Sequence, residues 1–545
     1  MRQANPGPAS SEQNNTASAH GTHQACGHVT VACAWGAAAC GLGLATLTLL
    51  RAAALSFDAA RYLELARAYA DDGLRAALDW YVGPAFPVAV GTLYRLLGDL
   101  ELAGRLFGLI SAVALVGLVW LLLKEISDHT TAHFGAALLA TNPAVIRHAP
   151  SAEIDLPYLM LLCGALYAQV RSIRSRQSRA VWSVSAGLLF GIAYLVRPEA
   201  LVVALLVGLW FLVGPAARQL GARRWLVGLS APIALMVGAP YLVWLHESLG
   251  RWTLSGKDRT LSLKYLPDKK HPERALQAGP IGAILQNPDD LFKWLPVHAK
   301  RTLTELPKAA GYGCLALAVL GAVAWHRGRV RPDRLGSLLV LIASVPPVLA
   351  FALLYPYERY FLQGLPAVAL LAALGCRRLL ERCGRRWVLT ALLGINLLVA
   401  SVQAREPLEQ SRLPRRRLGE RIAASMGPGR RALAFTVEAF YAGADRVPRW
   451  DPFEGIVPGH GFGRPWDYDR LLAFLRAERV EVIVVDEHFR KDCPEFYDRL
   501  QPTDFRLLFR QQRGGDVVDV FEVLAVTRDP HRRPLARYTS TNVTP

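Results

Sequence analysis

Four short stretches of the chain place ionisable side chains where group-transfer chemistry would need them. Asp58 stands in Ser56-Phe57-Asp58-Ala59-Ala60-Arg61-Tyr62, and Glu153 and Asp155 stand in Ser151-Ala152-Glu153-Ile154-Asp155-Leu156-Pro157. Arg197 and Glu199 flank a proline in Leu195-Val196-Arg197-Pro198-Glu199, and Arg359 lies in Tyr355-Pro356-Tyr357-Glu358-Arg359-Tyr360. A carboxylate accepts the proton of an attacking hydroxyl. A guanidinium grips a phosphate through parallel N–H donors. Together they suit the transfer of a group away from a phosphate.

Each of these residues also has a structural reading. Asp58 and Asp155 both suit the cap of a helix, with Pro157 fitting the first turn after Asp155. Glu153 has no capping role. Residues two apart on a helix diverge, so Glu153 and Asp155 share one site only if the turn between them is irregular. Arg197 could snorkel to lipid head groups, and Arg359 could sit in an aromatic belt paired with Glu358.

The elements that must position them are membrane spans. Of the 545 residues, 52% are hydrophobic and 19% charged. From about residue 29 to 402 the chain repeatedly runs for roughly 17–23 residues almost without charge, and about 20 apolar residues cross a bilayer. Expected spans cover 29–50, 105–123, 132–148, 156–170, 180–196, 200–214, 225–245, 309–325, 335–354, 360–376 and 387–403, about 11 crossings by this criterion. Residues 58–81 read as an interfacial helix, and 83–97, broken by Pro84 and Pro87, as a partial or re-entrant element.

The net charge of +18 comes from 62 basic and 44 acidic residues. Five polar turns, 124–131, 171–179, 215–224, 326–334 and 377–386, carry 17 basic and 4 acidic side chains and so hold 13 of that excess. Such arginine-rich turns mark the cytoplasmic face. The charge is therefore a topology signal, and a nucleic-acid partner is not expected. With residues 1–28 as a flexible cytoplasmic tail, all five turns face the cytoplasm. An odd number of crossings then puts the C-terminal region outside, in a multi-pass protein of the inner or plasma membrane. The loops 51–104 and 247–308 share the outer side with it.

Beyond Arg405 the pattern becomes that of a small soluble α/β domain, 405–530, with strands near 431–437, 480–486 and 517–526 and a helix at 467–479. Residues 531–545 read as a flexible tail. Gly459-His460-Gly461-Phe462-Gly463 lacks the strand–turn–helix setting of a phosphate loop and reads as a turn. Eight scattered cysteines make no disulfide scaffold. His20, His23, Cys26 and His28 cluster in the N-terminal tail without a second ligand pair, so no metal is expected there.

Ionisable residues at span ends on the outer face are costly enough to have a purpose. Carboxylates beside arginines at a lipid boundary suit a lipid-linked phosphosugar: an acceptor hydroxyl attacks the anomeric carbon and polyprenyl phosphate leaves. Lys257, Arg259, Lys264, Lys269 and Lys270 add positive charge in the large loop and read mostly as solvated. The alternative is a transporter or flippase of a lipid-linked or anionic solute. That reading predicts internal repeats and charges at mid-membrane depth, and neither is visible. A third reading is a membrane-anchored assembly or sensor protein.

On these residues the chain resembles the C-type (GT-C) membrane glycosyltransferases, in particular the bacterial branch related to protein O-mannosyltransferases and lipid A aminoarabinose transferases. The likeness lies in Asp58 with Tyr62 and Ala66 after the first span and the acidic turn Glu153 to Asp155 before Leu156-Pro157. It extends to Arg197-Pro198-Glu199, and to Arg359-Tyr360 ahead of the helix bearing Pro366. The resemblance implies an α-helical polytopic GT-C catalytic domain over 29–404. It makes Asp58 the catalytic residue, assisted by Asp155 or Glu153, and sets Arg197 and Arg359 near the donor phosphate. Glu199 and Tyr62 join them in binding substrate. It implies inversion at the anomeric carbon, a polyprenyl-phosphate sugar donor, a hydroxyl acceptor on protein, lipid or polysaccharide, and membrane lipids as partners. Two departures stand out: no acidic neighbour follows Asp58, and the tryptophan-rich acidic signature of oligosaccharyltransferases is absent. The latter argues against a metal-dependent oligosaccharide transfer, so no cofactor is expected, a divalent metal being the disfavoured alternative.

Overall fold

In the computed structural model the described residues are all except 1–12, 176, 258–287, 384–385, 406, 428, 435, 444, 449–467, 494, 514–515 and 528–545. The Gly459–Gly463 stretch, Arg259, Lys264, Lys269, Lys270 and the 531–545 tail lie outside them. The chain is mainly helical. By length and composition, six helices among the described residues could cross a membrane: Ala32–Leu50, Leu100–Ile126, Asp155–Arg174, Arg224–Leu249, Arg334–Leu354 and Glu358–Glu381. A seventh forms if Phe292–Ala310 and Tyr312–His326, bent by 94°, count as one span. Shorter apolar helices cover Ala85–Leu97, Arg179–Tyr194, Glu199–Val213 and Thr390–Gln403. Ile110, Val113, Leu188, Leu209 and Leu349 are exposed on these helices, as a lipid-facing surface requires.

The elements that frame the site come early in the chain. Helix α1 (Gln13–Leu50) already begins inside the 1–28 stretch expected as a flexible tail. Helix α2 (Phe57–Asp72) is shorter than the interfacial helix expected over 58–81, ending at Gly73 with a 3-10 turn behind it. Helix α3 (Ala85–Leu97) starts directly after Pro84, whose fixed φ suits a helix start. Helix α4 (Leu100–Ile126) is capped by Asp99, which accepts from the Leu102 amide. The span expected over 132–148 is divided into α5 (His129–Ala140) and α6 (Pro143–His148). Asn142 makes the break: Oδ1 caps Ala144 and Val145 while Nδ2 donates to the Ala309 and Ala310 carbonyls at 3.2 and 2.9 Å. Then come α7 (Asp155–Arg174), α8 (Arg179–Tyr194) and α9 (Glu199–Val213).

Four of the five arginine-bearing turns meet at one end of the bundle. Arg171 and Arg174 pair with Glu125 at 2.8 and 3.4 Å, Arg174 reaches Asp333 at 3.9 Å, and Arg377 pairs with Asp128. The N-terminal ends of α2, α4 and α7 lie at the opposite end.

Among the described residues the C-terminal unit holds a five-stranded sheet in the order β2-β1-β3-β5-β4. Strands β1 (Arg431–Ala434), β2 (Asp445–Pro448) and β3 (Val482–Val485) run parallel, while β4 (Phe505–Arg513) and β5 (Asp516–Val523) form an antiparallel pair joined to β3. The strand expected to continue to Val437 stops at Ala434, because Thr436–Ala442 is a helix. The expected helix over 467–479 is Tyr468–Ala477. Strands β2 and β4 were not foreseen, being short or rich in arginine and glutamine rather than β-branched residues. Val437 and Phe440 belong to the same buried apolar cluster as the bundle helices. The unit is therefore seated on the bundle.

Candidate functional site

Helix α2 presents Asp58 in its first turn, but Asp58 does not cap it. Ser56 does: its Oγ accepts from the Ala59 amide at 3.0 Å. The Asp58 carboxylate is thereby left for an ion pair with Arg359, 301 residues away in sequence. Arg359 also donates from Nη2 to the Tyr360 hydroxyl at 3.2 Å.

The turn before α7 is irregular, as a shared site requires. Ala152 sits at φ 58°, a left-handed conformation unusual for a side-chain-bearing residue. Glu153 is 9% exposed and accepts the Ser56 hydroxyl on Oε1 at 2.7 Å. Its other oxygen lies 3.6 Å from His148 Nδ1, an ion-pair distance longer than a hydrogen bond. Burial alone would raise the Glu153 carboxyl, but His148, Arg359 and the Ser56 hydroxyl together hold it well below the usual carboxylate range. Asp155 makes no capping bond either; it pairs with Arg197.

Arg197 is 2% exposed, so it does not snorkel to head groups. Besides Asp155 it engages Glu199 at 3.2 and 3.4 Å, and its guanidinium lies over the rings of Tyr158 and Tyr360 at 5.4 and 5.3 Å. Stacked and doubly paired, it is fixed in one orientation. Arg359 sits beside the same Tyr360 ring at 5.1 Å, which makes that ring the wall between the two ion pairs. Tyr62 is buried, with its ring edge-on to Phe86 at 5.6 Å. Burial, then the Asp58 charge, push its phenol well above the ordinary value, so it is neutral and serves as a wall beside Asp58.

Lys257 approaches the site from the loop after the helix Ser230–Leu249. The Gly256 amide donates to the Trp80 carbonyl at 2.7 Å, and a Cβ at Gly256 would fall 2.2 Å from the Trp80 ring, so only glycine allows this approach. Lys257 is thereby set over the Tyr81 ring at 4.9 Å. Burial, then the Arg197 charge, lower its amine below the ordinary value despite Glu199 and Asp58 nearby. Among the described residues no carboxylate lies within ion-pair distance of it.

Residues 82–244 match the family described as dolichyl-phosphate-mannose-protein mannosyltransferase. No curated protein matches the chain in sequence. Among solved structures, ArnT from Cupriavidus metallidurans in the apo state superposes with a TM-score of 0.57 at 14% identity, covering 89% of this chain and 97% of that one. The same enzyme bound to undecaprenyl phosphate gives 0.57 at 14% identity over 88% and 96%. The Archaeoglobus fulgidus oligosaccharyltransferase tethered with an acceptor peptide gives 0.53 at 11% identity over 86% and 70%. The chain has the GT-C fold.

In this GT-C chain every residue expected at the site from sequence comes to one end of the bundle. Asp58 joins Arg359, Asp155 joins Arg197 and Glu199, and Glu153 joins the α2 cap. The site also contains groups that the sequence reading passed over. Lys257 was read with the other loop lysines as solvated, and a charged side chain in a polar loop carries no mark of burial. Ser56 was hidden because its partner Glu153 lies 97 residues away, and His148 because it falls at the end of a stretch expected to be a membrane span, although Glu153 is only five residues on. Among the described residues no three His, Cys, Asp or Glu side chains come together as a metal site.

Proposed function

We propose that this chain is an integral-membrane glycosyltransferase that moves a sugar from a polyprenyl-phosphate donor to a hydroxyl acceptor, with inversion, on the extracytoplasmic side. The observation that carries it is the pair of carboxylate–guanidinium couples, Asp58–Arg359 and Asp155–Arg197, on either side of Tyr360, with Lys257 beside them and no carboxylate at ion-pair distance from it among the described residues. A lysine without a counter-ion favours an anion, and a phosphate is the anion a GT-C donor would bring. The ArnT relative solved with undecaprenyl phosphate supports that donor class.

The donor phosphate would be held by Lys257 and Arg359, with Arg197 fixed behind them. Drawing Arg359 toward phosphate loosens its hold on Asp58 and turns that carboxylate into a general base. The acceptor O–H gives its proton to Asp58, its oxygen bonds to the anomeric carbon from the face opposite the phosphate, and the C–O bond to phosphate breaks. The electron pair leaves on the phosphate, where the cations neutralise it. A single displacement of this kind inverts the anomeric centre. Tyr62 walls the base, and Glu199 and Asp155 hold Arg197. The arginine turns at the far end of the bundle face the cytoplasm in this reading, and the 405–530 unit faces outward.

The test uses the full chain in nanodiscs with a polyprenyl-phosphate sugar and candidate hydroxyl acceptors, following free polyprenyl phosphate and glycosylated product by mass spectrometry. Equal amounts of both, abolished by Asp58→Asn, are expected. Transfer undiminished in that variant would remove Asp58 from the mechanism. Donor crossing a sealed liposome bilayer without any phosphate release would replace transfer with the transport reading.

A further inference from the structure

Arg105 is 4% exposed one turn into the span Leu100–Ile126. A charged group there is expensive unless it serves a purpose. Its partners give the purpose. Nη2 donates to the Ala54 carbonyl at 2.8 Å and Nη1 to the Pro150 carbonyl at 2.9 Å. Ala54 lies just ahead of Ser56 and Asp58, and Pro150 just ahead of Glu153. Because Ser56 also donates to Glu153, the contacts close a ring from Arg105 through the Asp58 loop, across to the Glu153 loop and back. Gly108, on the same face of α4, lets the second loop come close, since a Cβ there would fall 2.3 Å from the Ala149 carbonyl.

The remaining side of the guanidinium faces the C-terminal unit. Glu101 Oε1 accepts from Arg105 Nε at 3.0 Å and Nη2 at 2.7 Å. Glu101 Oε2 accepts the Tyr441 hydroxyl at 3.1 Å and lies 3.8 Å from Arg416 Nη1. The same Arg416 nitrogen donates to the Ala53 carbonyl at 3.1 Å, and the Ala53 amide donates to Leu408 at 3.0 Å. Arg67 of α2 lies over the Phe440 ring at 5.4 Å.

We propose that Arg105 is a positioning residue that holds the Asp58 and Glu153 loops in register, and that the C-terminal unit sets its orientation through Tyr441, Arg416 and Glu101. This rests on the glycosyl-transfer reading and adds to it a task for the C-terminal unit. A carboxylate displaced by about 1 Å costs about 100-fold in rate, and donor binding by Lys257 and Arg359 does not pass through Arg105. The effect therefore falls on kcat and not on the donor KM.

The experiment measures kcat, donor KM and unfolding temperature for Arg105→Gln, Arg105→Lys, Glu101→Gln, Tyr441→Phe and the Glu101→Gln/Tyr441→Phe double variant, with Asp58→Asn as control. Expected are a kcat loss of about 100-fold for Arg105→Gln with donor KM within about twofold, and partial recovery in Arg105→Lys. Tyr441→Phe, which removes one hydroxyl, should lower kcat about threefold to tenfold without lowering the unfolding temperature. The double variant should be no slower than Glu101→Gln alone, because the two act as one unit. Wild-type kcat in Tyr441→Phe and Glu101→Gln, or losses that multiply independently, would overturn the inference even if Arg105→Gln did not fold. Failure of the underlying reading is separate: it shows as undiminished transfer by Asp58→Asn.

Discussion

Ser56 Oγ donates to Glu153 Oε1 at 2.7 Å while accepting from the Ala59 amide at 3.0 Å. One hydroxyl thus starts the helix that carries Asp58 and satisfies a buried carboxylate 97 residues later. Ser56→Ala removes both bonds. A lost cap costs about 0.5–2 kcal/mol, and an unsatisfied buried acceptor about 1–3 kcal/mol. We expect a lower unfolding temperature together with reduced transfer, whereas Ser56→Thr, which keeps the hydroxyl, should recover most of both. Equal unfolding temperatures for the alanine variant and the wild type would show that the bond does not bear on stability.

The Asp58–Arg359 couple predicts different kinetics for its two members. Asp58→Asn keeps the shape and removes the base, so kcat should fall by about 10²–10⁴-fold with little change in donor KM. Arg359→Gln removes a cation from the phosphate and should raise donor KM and lower kcat together. Titration with polyprenyl phosphate alone separates them, since Asp58→Asn should bind it at least as tightly as the wild type and Arg359→Gln more weakly. Tight binding by Arg359→Gln would place the phosphate elsewhere.

The proposed mechanism draws its cationic help from Arg197, Arg359 and Lys257. Transfer should therefore persist after exhaustive treatment with EDTA and dialysis against chelated buffer. Loss of activity on chelation with recovery on adding a divalent ion would require a metal-assisted departure of phosphate. In that event the carboxylates assigned to base and arginine-holding roles would need reassignment.

The helical architecture and the chemistry-bearing end were legible because they depend on local pattern. Apolar runs of span length and arginine-rich turns mark themselves, and Arg171, Arg174 and Arg377 do meet acidic partners at one end. Asp58, Glu153, Asp155, Arg197 and Arg359 were visible as charges that apolar neighbours do not explain. Their pairing was not, since which carboxylate faces which guanidinium is set by packing across hundreds of residues. The two capping roles offered for Asp58 and Asp155 failed for the same reason: Ser56 occupied the first cap position, and Arg197 drew Asp155 into an ion pair. Arg105 escaped notice as a charge at the very start of a span, where arginines are common. Only its carbonyl partners distinguish it.

Lys257 provides a prediction in pH. Its amine is held below its ordinary 10.5, first by burial and then by Arg197, with Arg359 adding to it and Glu199 and Asp58 opposing. The unfolded chain therefore binds this proton more readily than the folded one. The cost to folding is fully present below the folded pKa, and it is relieved as pH rises from there toward 10.5. A bound phosphate reverses the balance by favouring the ammonium, so donor binding should take up a proton on the alkaline side. We expect kcat/KM for the donor to fall as pH rises through the Lys257 pKa, and Lys257→Arg, which keeps its charge, to push that limb to higher pH. Lys257→Met should raise donor KM below the Lys257 pKa, converge on the wild type above it, and so remove the limb. Wild-type pH dependence in Lys257→Met would mean that the ammonium does not meet the phosphate, and Arg359 would then be left as its principal counter-charge.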